Sequence, residues 1–323
     1  MSNGDNGHVR PRSRSTPVAY LQLVRLPNIF TAMADVAMGF LVVHAVAKPV
    51  DAWVLGLLVA TSSLLYASGV VLNDVFDYRR DAVDRPERPL PSGRISVSAA
   101  RGLGWMLLVL ALAPACGAGI LEGNFRPVGV AALLAGCVVL YNAVAKRTLG
   151  GPVVMGACRM LNVLLGMSVA RQSLSLPYWL IAGGIGVYII GVTWFARTEA
   201  RQSNRLQLAL ALVVMMSGIA MLACLPYVDG SVIRGVKPHG WPLLIGVLGA
   251  LIGWRCLLAV FDPKPLLVQI AVKMCILSLI MLDAAVCLAC YAGRSNQQAM
   301  LATVLILMLL LPAMVLGQWI DST

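Results

Sequence analysis

Carboxylate side chains are scarce in this 323-residue chain, which carries 14 aspartates and glutamates against 25 lysines and arginines. Only 12% of the residues are charged and 59% are hydrophobic, with a mean hydropathy of +0.83. Water cannot solvate that much apolar surface around so few charges. The composition therefore excludes an ordinary soluble domain and places the chain among polytopic membrane proteins.

Metal-binding and disulfide-forming side chains are also few or badly placed. The three histidines (His8, His44 and His239) are too scattered to share one metal ion. All eight cysteines fall in long apolar runs, which argues against a disulfide framework. Cys287 and Cys290 form a C-x-x-C pair inside such a run, and ordinary buried thiols explain it.

What the chain has in abundance is apolar runs of about 20 residues, the length that spans a bilayer as a helix. We count ten, near 27–46, 52–74, 97–120, 127–145, 152–170, 177–196, 207–226, 241–260, 266–291 and 299–319. They predict an all-α, polytopic transmembrane helical bundle of nine to ten spans. Nine spans with one interfacial helix is the alternative, because Asp262-Pro263-Lys264-Pro265 interrupts the chain and Lys273 lies in the run that follows.

The basic residues indicate the orientation of the bundle. With the N-terminus in the cytoplasm, sixteen lysines and arginines fall on that side, six on the other and three within spans. This asymmetry is typical of multi-pass cell (inner) membrane proteins, and it explains the net charge of +11 without nucleic acid as a partner. We expect a disordered cytoplasmic tail over residues 1–17, which lacks the apolar core of a signal peptide, and one membrane domain over 18–323.

Four of the 14 carboxylates crowd into eleven positions directly after the second apolar run, at Asp74, Asp77, Asp81 and Asp84. If the helix continues past Leu72, all four share one face with Asn73. A Mg²⁺ ion, which is held by one or two carboxylates with water and substrate phosphates, would relieve their repulsion. The alternative is a solvated loop whose arginines balance its aspartates.

Other polar residues stand at the ends of apolar runs or inside them. Arg25 and Asn28 predict either a helix cap or a pair that faces the same pocket as the acid cluster. Lys146 follows Asn142 by one turn and is placed to bind phosphate. Within the fifth run, Arg159 and Asn162 share a face, and a guanidinium there is expensive unless it is paired.

The sixth run ends in a second polar segment, where Glu199 and Ser203 lie four residues apart and can present oxygens to a cation. Arg197, Arg201 and Arg205 would line the adjacent face. Intrahelical salt bridges at a cytoplasmic flank are the alternative. Beyond this segment the charged residues are isolated, and packing or pairing explains them: Arg255, Asp262, Lys264, Lys273 and Asp283.

These segments together resemble the UbiA-type intramembrane prenyltransferases. The resemblance rests first on Asn73-Asp74-x-x-Asp77-x-x-x-Asp81, followed by Arg88-Pro89 and Ser92-Gly93-Arg94-Ile95-Ser96. The chain also has segments that are similar to lesser landmarks of the family, in the same order as in the family: Arg25-x-x-Asn28, Tyr141-Asn142 to Lys146-Arg147, and Gly156-x-x-Arg159-x-x-Asn162. The match covers about the first two thirds of the chain, and the last third matches only as apolar helices.

The resemblance implies a bundle around a central cavity, in which an isoprenyl group passes from an isoprenyl diphosphate to a hydrophobic acceptor, aromatic or lipid-like, among membrane lipids. It implies Mg²⁺ as cofactor, with Asn73, Asp77, Asp81 and Glu199 as its ligands. Asp77, Asp81 and Lys146 would be catalytic. The diphosphate and the polar pocket would be bound by Arg25, Asn28, Asn73, Asp74, Asn142, Arg159, Asn162, Arg197, Glu199 and Arg201.

One departure from the family is that its second motif, D-x-x-x-D after the sixth span, is replaced here by Glu199 and Ser203. A non-catalytic isoprenoid-binding or transport-related protein on the same fold is therefore the alternative function. A phosphatidyl transferase of the CDP-alcohol type ranks last, because its D-G-x-x-A-R segment followed by G-x-x-x-D-x-x-x-D is not found in the chain.

Overall fold

The computed structural model describes residues 16–47, 51–197, 203–228, 240–291 and 296–319, and the regular structure in those ranges is helical. The helices, in chain order, are α1 Thr16–Leu23, α2 Leu26–Ala47, α3 Ala52–Asp84, α4 Val97–Leu110, α5 Leu112–Glu122, α6 Arg126–Ala143, α7 Gly151–Met167, α8 Leu176–Ala196, α9 Arg205–Ala223, α10 Leu225–Val228, α11 Gly240–Phe261, α12 Pro265–Tyr291, α13 Asn296–Leu307 and α14 Leu310–Trp319. A 3₁₀ turn, Ala145–Arg147, joins α6 to α7.

Each of the ten predicted apolar runs is helical, which confirms the all-α bundle. Within the described residues, nine helical segments are long and apolar enough to cross a membrane. The fifth run, α7, is shorter at 17 residues. The third run consists of α4 and α5, and the last run is split into α13 and α14. The short α1 was not predicted, because eight residues before the first run carry no periodic signal.

The longest described helix is α3, whose 33 residues follow the N-cap Asp51. One carboxylate oxygen of Asp51 accepts hydrogen bonds from the amides of Trp53, at 2.9 Å, and Val54, at 3.3 Å. At roughly 1.5 Å per residue the helix is about 50 Å long, more than the roughly 30 Å hydrocarbon core. The acid cluster therefore lies on a continuous helix, as predicted, and beyond the apolar part of that helix.

Close packing of α2 against α7 brings polar side chains of the two helices together. A Cβ atom added at Gly166 would lie 2.1 Å from the carbonyl oxygen of Val36, and one added at Gly39 would lie 2.3 Å from that of Val163. Only glycine allows the two backbones to approach so closely. The approach places Asp35 of α2 beside Arg159 and Asn162 of α7.

Polar helix ends collect at one end of the bundle. The end of α3 meets the 3₁₀ turn, because Arg147 Nη2 donates to the carbonyl oxygen of Phe76 at 3.3 Å. Arg197, directly after α8, donates a hydrogen bond to the carbonyl oxygen of Thr148. The ends of the second, fourth and sixth predicted spans thus converge.

Candidate active site

Asp77 and Asn73 share a cation. The ammonium nitrogen of Lys146 lies 2.8 Å from Asp77 Oδ2 and 3.2 Å from Asn73 Oδ1. Asn73 and Asp77 are one turn apart on α3, so their oxygens point to the same side. Burial lowers the pKa of Lys146 below its ordinary value of 10.5, and the hydrogen bond and charge of Asp77 offset part of that change. The Lys146 side chain is only 9% exposed, so Asp77 is its principal counter-charge.

These three side chains line a cavity of about 480 Å³ with a strongly basic wall. Arg197 contributes from the end of α8, as predicted, so the acidic end of α3 and the end of α8 face one space. The other polar lining residues are Arg80, Tyr141, Arg147 and Thr193. The two remaining predicted members, Glu199 and Arg201, lie outside the described residues.

Asp74 and Asp81, on the neighbouring row of α3, are held by arginines. Arg25 Nη2 lies 3.0 Å from Asp74 Oδ1, and Arg88 Nη1 lies 2.7 Å from Asp81 Oδ2 and 3.7 Å from Asp74 Oδ1. Both carboxylates are buried, at 5% and 7% exposure, and neither lines the basic cavity or the larger cavity that adjoins it. In this structure arginines relieve the repulsion on this row. The predicted metal role of Asp81 stays a prediction.

The backbone at Arg25 is unusual, because its φ of 46° is in the left-handed region that non-glycine residues rarely adopt. Arg25 is the second of the two residues between α1 and α2, and its strained conformation turns the chain while its side chain reaches Asp74. Strain of this kind persists only where surrounding contacts hold it. The ion pair with Asp74 is one such contact, so Arg25 is more than a flanking charge.

A second, larger cavity of about 610 Å³ adjoins the first and shares Asn73, Tyr141, Thr193 and Ala196 with it. Five further predicted site residues line it: Arg25, Asn28, Asn142, Arg159 and Asn162. Asn142 Nδ2 donates to the carbonyl oxygen of Gly69 at 2.9 Å, while its Oδ1 is buried without a partner among the described residues. Aliphatic side chains form much of the remaining wall, among them Leu65, Leu134, Val138, Ile189 and Val192.

A buried polar network forms part of this larger cavity. Arg159 Nη1 lies 2.6 Å from Asp35 Oδ2, and Arg159 Nη2 donates to Thr31 Oγ1 at 2.8 Å. The guanidinium is also 5.7 Å from the centre of the Tyr66 ring, within range of a cation–π interaction. Asn162 Nδ2 donates to the carbonyl oxygen of Ala32 at 2.8 Å. Arg159 therefore has the partner that its position in the membrane requires.

Asp283 of α12 adds a second carboxyl to this network, beside that of Asp35. Both side chains are 0% exposed. Asp35 Oδ1 and both Asp283 oxygens have no hydrogen-bond donor among the described residues. Arg159 is therefore the cation that this pair of carboxyls has among the described residues. The sequence shows Asp283 only as an isolated acid, because its partner is 248 positions away.

The oxygen atoms of Asn73 and Asp77 fit a magnesium ion. They converge on one point of positive charge, the Lys146 ammonium, which stands where a cation would bridge them. Among the described residues no three histidine, cysteine or acidic side chains form a closed metal site. Mg²⁺ does not need one, because it usually keeps several waters and binds one or two carboxylates together with substrate phosphates.

The structure brings most of the predicted residues together, in two adjacent groups. Asn73, Asp77, Lys146 and Arg197 line the basic cavity, and Asn73 with Arg25, Asn28, Asn142, Arg159 and Asn162 lines the larger one. Asp74 and Asp81 lie on the neighbouring row of α3 and line neither of these two cavities. The sequence shows Arg88 only as part of the segment that follows the acid cluster, and its role as partner of two buried carboxylates could not be derived from spacing.

Comparison with known proteins identifies relatives over most of the chain. A model of the UbiA prenyltransferase family matches residues 32–266. The digeranylgeranylglyceryl phosphate synthase of Methanopyrus kandleri is 30% identical over 252 residues, which cover 72% of this chain and 84% of the relative. That of Sulfolobus acidocaldarius is 36% identical over 115 residues, 36% of this chain. The chain spans only about two fifths of the length of that relative, 41%.

Solved structures share the fold. A structure of a digeranylgeranylglyceryl phosphate synthase superposes with a TM-score of 0.62 at 21% identity, covering 85% of this chain and 99% of the other. A UbiA homologue from Archaeoglobus fulgidus, bound to DMAPP and Mg²⁺, superposes with a TM-score of 0.53 at 17% identity, covering 82% and 99%. The family match over most of the chain, on a helical bundle with this acid cluster, shows that the protein belongs to the UbiA prenyltransferase family.

Proposed function

We propose that this protein transfers an isoprenyl group from an isoprenyl diphosphate to a hydrophobic acceptor within the membrane, with Mg²⁺ as cofactor. The observation that carries the proposal is the convergence of Asp77, Asn73 and Lys146 on one basic cavity that adjoins a larger, largely apolar one. The first suits a metal-bound diphosphate, and the second suits an isoprenyl chain.

In this proposal the diphosphate lies in the basic cavity. Asn73 and Asp77 hold the metal, and Lys146, Arg147 and Arg197 bind phosphate oxygens. Without donor, the ammonium of Lys146 contacts the oxygens of Asn73 and Asp77. When the donor binds, the ammonium leaves these oxygens and contacts the phosphate oxygens instead. Arginine is suited to the same anion because its planar fork donates two parallel hydrogen bonds.

The transfer breaks the bond between C1 of the isoprenyl group and the diphosphate oxygen, which leaves with the electron pair. A bond then forms between C1 and the nucleophilic atom of the acceptor, whose proton passes to the released diphosphate or to water. When bound, Mg²⁺ supplies positive charge to the leaving phosphate oxygens. The basic side chains add to that charge at fixed positions, which lowers the barrier without reorganisation.

The larger cavity protects the reacting carbon. Its aliphatic wall from α3, α6 and α8 excludes water, which would otherwise capture an allylic cation. Arg159 and Asn162 are held in place by Asp35 and Ala32, so they present polar atoms to the cavity without motion. Glu199 and Arg201 remain proposed members of the diphosphate site, from the segment after α8.

We also propose that the basic cavity faces the cytoplasm, on the charge asymmetry of the sequence. The names of the relatives support a glyceryl phosphate lipid as one acceptor to test, and the Archaeoglobus homologue supports DMAPP as a donor.

The experiment is an assay of purified protein in lipid nanodiscs with isoprenyl diphosphates of increasing length and a panel of acceptors. Diphosphate release and prenylated product, identified by mass spectrometry, are expected with Mg²⁺ and abolished by EDTA. Retention of a bound isoprenoid without diphosphate release from any donor would instead identify a binding or transport protein on this fold.

A further inference from the structure

The larger cavity is lined by five basic side chains and, among the described residues, by no acidic one. The basic residues are Arg25, Arg85, Arg88, Arg159 and Lys273. The arginines are engaged: three pair with Asp74, Asp81 and Asp35, at 2.6 to 3.0 Å, and Arg85 also has an interaction partner. Lys273 differs from them, because it makes no ion pair or hydrogen bond with any residue that the structure describes.

Lys273 is also in an unusual place for an unpaired charge. It lies eight residues after Pro265, the first residue of α12, which is about 12 Å along the axis at roughly 1.5 Å per residue. Its neighbours on the cavity wall, Ile270, Ile276 and Leu277, are apolar. A charged side chain inside a membrane span is costly and normally pairs or marks a substrate path. Lys273 is exposed and has no pair among the residues that the structure describes, so its charge is available to a ligand.

The residues of the cavity wall around Lys273 indicate the chemistry of the ligand that it would bind. A lysine ammonium binds phosphate as a point charge, and Gln269, one turn earlier on α12, adds a second polar side chain to the same stretch of wall. The rest of the cavity suits an aliphatic chain. The ligand is therefore an amphiphile with an acidic head group. The donor diphosphate is already placed in the adjoining cavity by Asp77, Asn73 and Lys146, so the amphiphile is the second substrate.

We propose that Lys273, together with Gln269, binds the acidic head group of the prenyl acceptor, an alcohol that carries a phosphate or a comparable anion. This inference rests on the proposed function. The transfer forms a bond between C1 of the isoprenyl group and the acceptor hydroxyl oxygen as the bond from C1 to diphosphate breaks. The hydroxyl proton passes to the released diphosphate or to water, and the acidic head group is unchanged.

The test compares one alcohol with and without its phosphate, an alkylglycerol phosphate and the matching alkylglycerol, in Lys273→Met, Lys273→Arg and Lys264→Met proteins. Lys264 directly precedes α12, pairs with Asp262 at 2.7 Å and does not line the cavity, so Lys264→Met removes an equal charge nearby. We expect Lys273→Met to raise KM for the phosphorylated acceptor roughly ten- to hundred-fold. KM for the donor and for the unphosphorylated alcohol should not change. Lys273→Arg and Lys264→Met should keep the preference for the phosphate.

Direct binding of both probes without donor separates this inference from the proposed function. The protein could bind the alkylglycerol phosphate, lose that binding in Lys273→Met and yet release no diphosphate. That result would support the anion site and refute the prenyltransferase activity. Normal turnover with an unchanged phosphate preference in Lys273→Met refutes the anion site alone. A rise in donor KM would assign Lys273 to the diphosphate, and an equal loss of phosphatidylglycerol binding would assign it to bulk lipid; either result overturns the inference.

Discussion

Lys146 of the turn between α6 and α7 lies 2.8 Å from Asp77 of α3, 69 positions earlier in the chain. The pair joins the acid cluster to the basic wall and occupies the position where a metal would bind Asn73 and Asp77. Lysine and metal therefore compete for the same oxygens until a diphosphate is present. Replacement of Lys146 by an uncharged residue should therefore change the affinity for metal and the affinity for donor in opposite directions.

We expect Lys146→Met to strengthen metal binding in the donor-free protein and to weaken donor binding. The ammonium no longer competes for Asp77, but the phosphate loses a charge-assisted hydrogen bond, which should raise donor KM about ten- to hundred-fold. Titration with Mn²⁺, followed by electron paramagnetic resonance, measures the first effect, and initial rates measure the second. Weaker metal binding in Lys146→Met would show that the lysine organises the site instead of competing for it.

A second pair of variants distinguishes the role of Asp81 from that of Asp77. Asp81 Oδ2 is 2.7 Å from Arg88, and both side chains are largely buried. If Asp81 acts through Arg88, Asp81→Asn and Arg88→Met should each lower the thermal unfolding temperature, and the double variant should cost less than the sum of the two. The apparent affinity for Mg²⁺ should then be unchanged. A large loss of Mg²⁺ affinity in Asp81→Asn alone would instead confirm the predicted role of Asp81 as a metal ligand.

Asp35 and Asp283 should respond differently to the same substitution. Asp35→Asn leaves the guanidinium of Arg159 without its 2.6 Å partner, and loss of one member of a buried ion pair typically costs about 3–5 kcal/mol. Asp283→Asn keeps a hydrogen-bond donor for Asp35 and should hardly change the free energy of unfolding. Thermal unfolding in one detergent compares the two variants. Equal destabilisation by both would contradict the assignment of Asp35 as the counter-charge of Arg159.

The close approach of α2 and α7 is tested by two glycines. Gly166→Ala places a methyl group 2.1 Å from the carbonyl oxygen of Val36 and should separate the helices, at a cost of at least about 1–3 kcal/mol. Gly136 in α6 has no atom within 4 Å of its added Cβ. Gly136→Ala should therefore be neutral or should stabilise the helix by about 0.5–1 kcal/mol. Thermal stability and activity should fall together only in Gly166→Ala, because Asp35 and Arg159 lie beside that contact.

The fold was predictable because each apolar run has the length that a bilayer demands, so every run became a helix. The continuation of α3 through the acid cluster was likewise predictable from spacings of three and four residues. Local patterns could not show which cation each acid meets. Asp74 and Asp81 bind arginines and Asp77 binds lysine because of where α1, the loop after α3 and the α6–α7 turn lie in space.

The roles of isolated polar residues in apolar helices were the least predictable from the sequence. Asp283 and Lys273 each stand alone in the sequence, and packing or pairing was enough to explain them. In the structure Asp283 meets Asp35 from a helix far along the chain, and Lys273 lines the larger cavity. In both cases the sequence does contain a signal, because a charged residue in a membrane span needs a partner. Which residue or ligand is that partner depends on tertiary packing, which the sequence pattern does not show.

The most direct test of the account is the rate of Mg²⁺-dependent diphosphate release by Asp77→Asn protein, with Asp84→Asn as its matched control. Asp84 is on the same helix end, but it is exposed and pairs with Arg80 at 3.2 Å. We predict a loss of about a hundred-fold or more in Asp77→Asn, with unchanged thermal stability and with Asp84→Asn close to the wild type. Release from Asp77→Asn at the wild-type rate would contradict the assignment of this cavity to the metal-bound diphosphate.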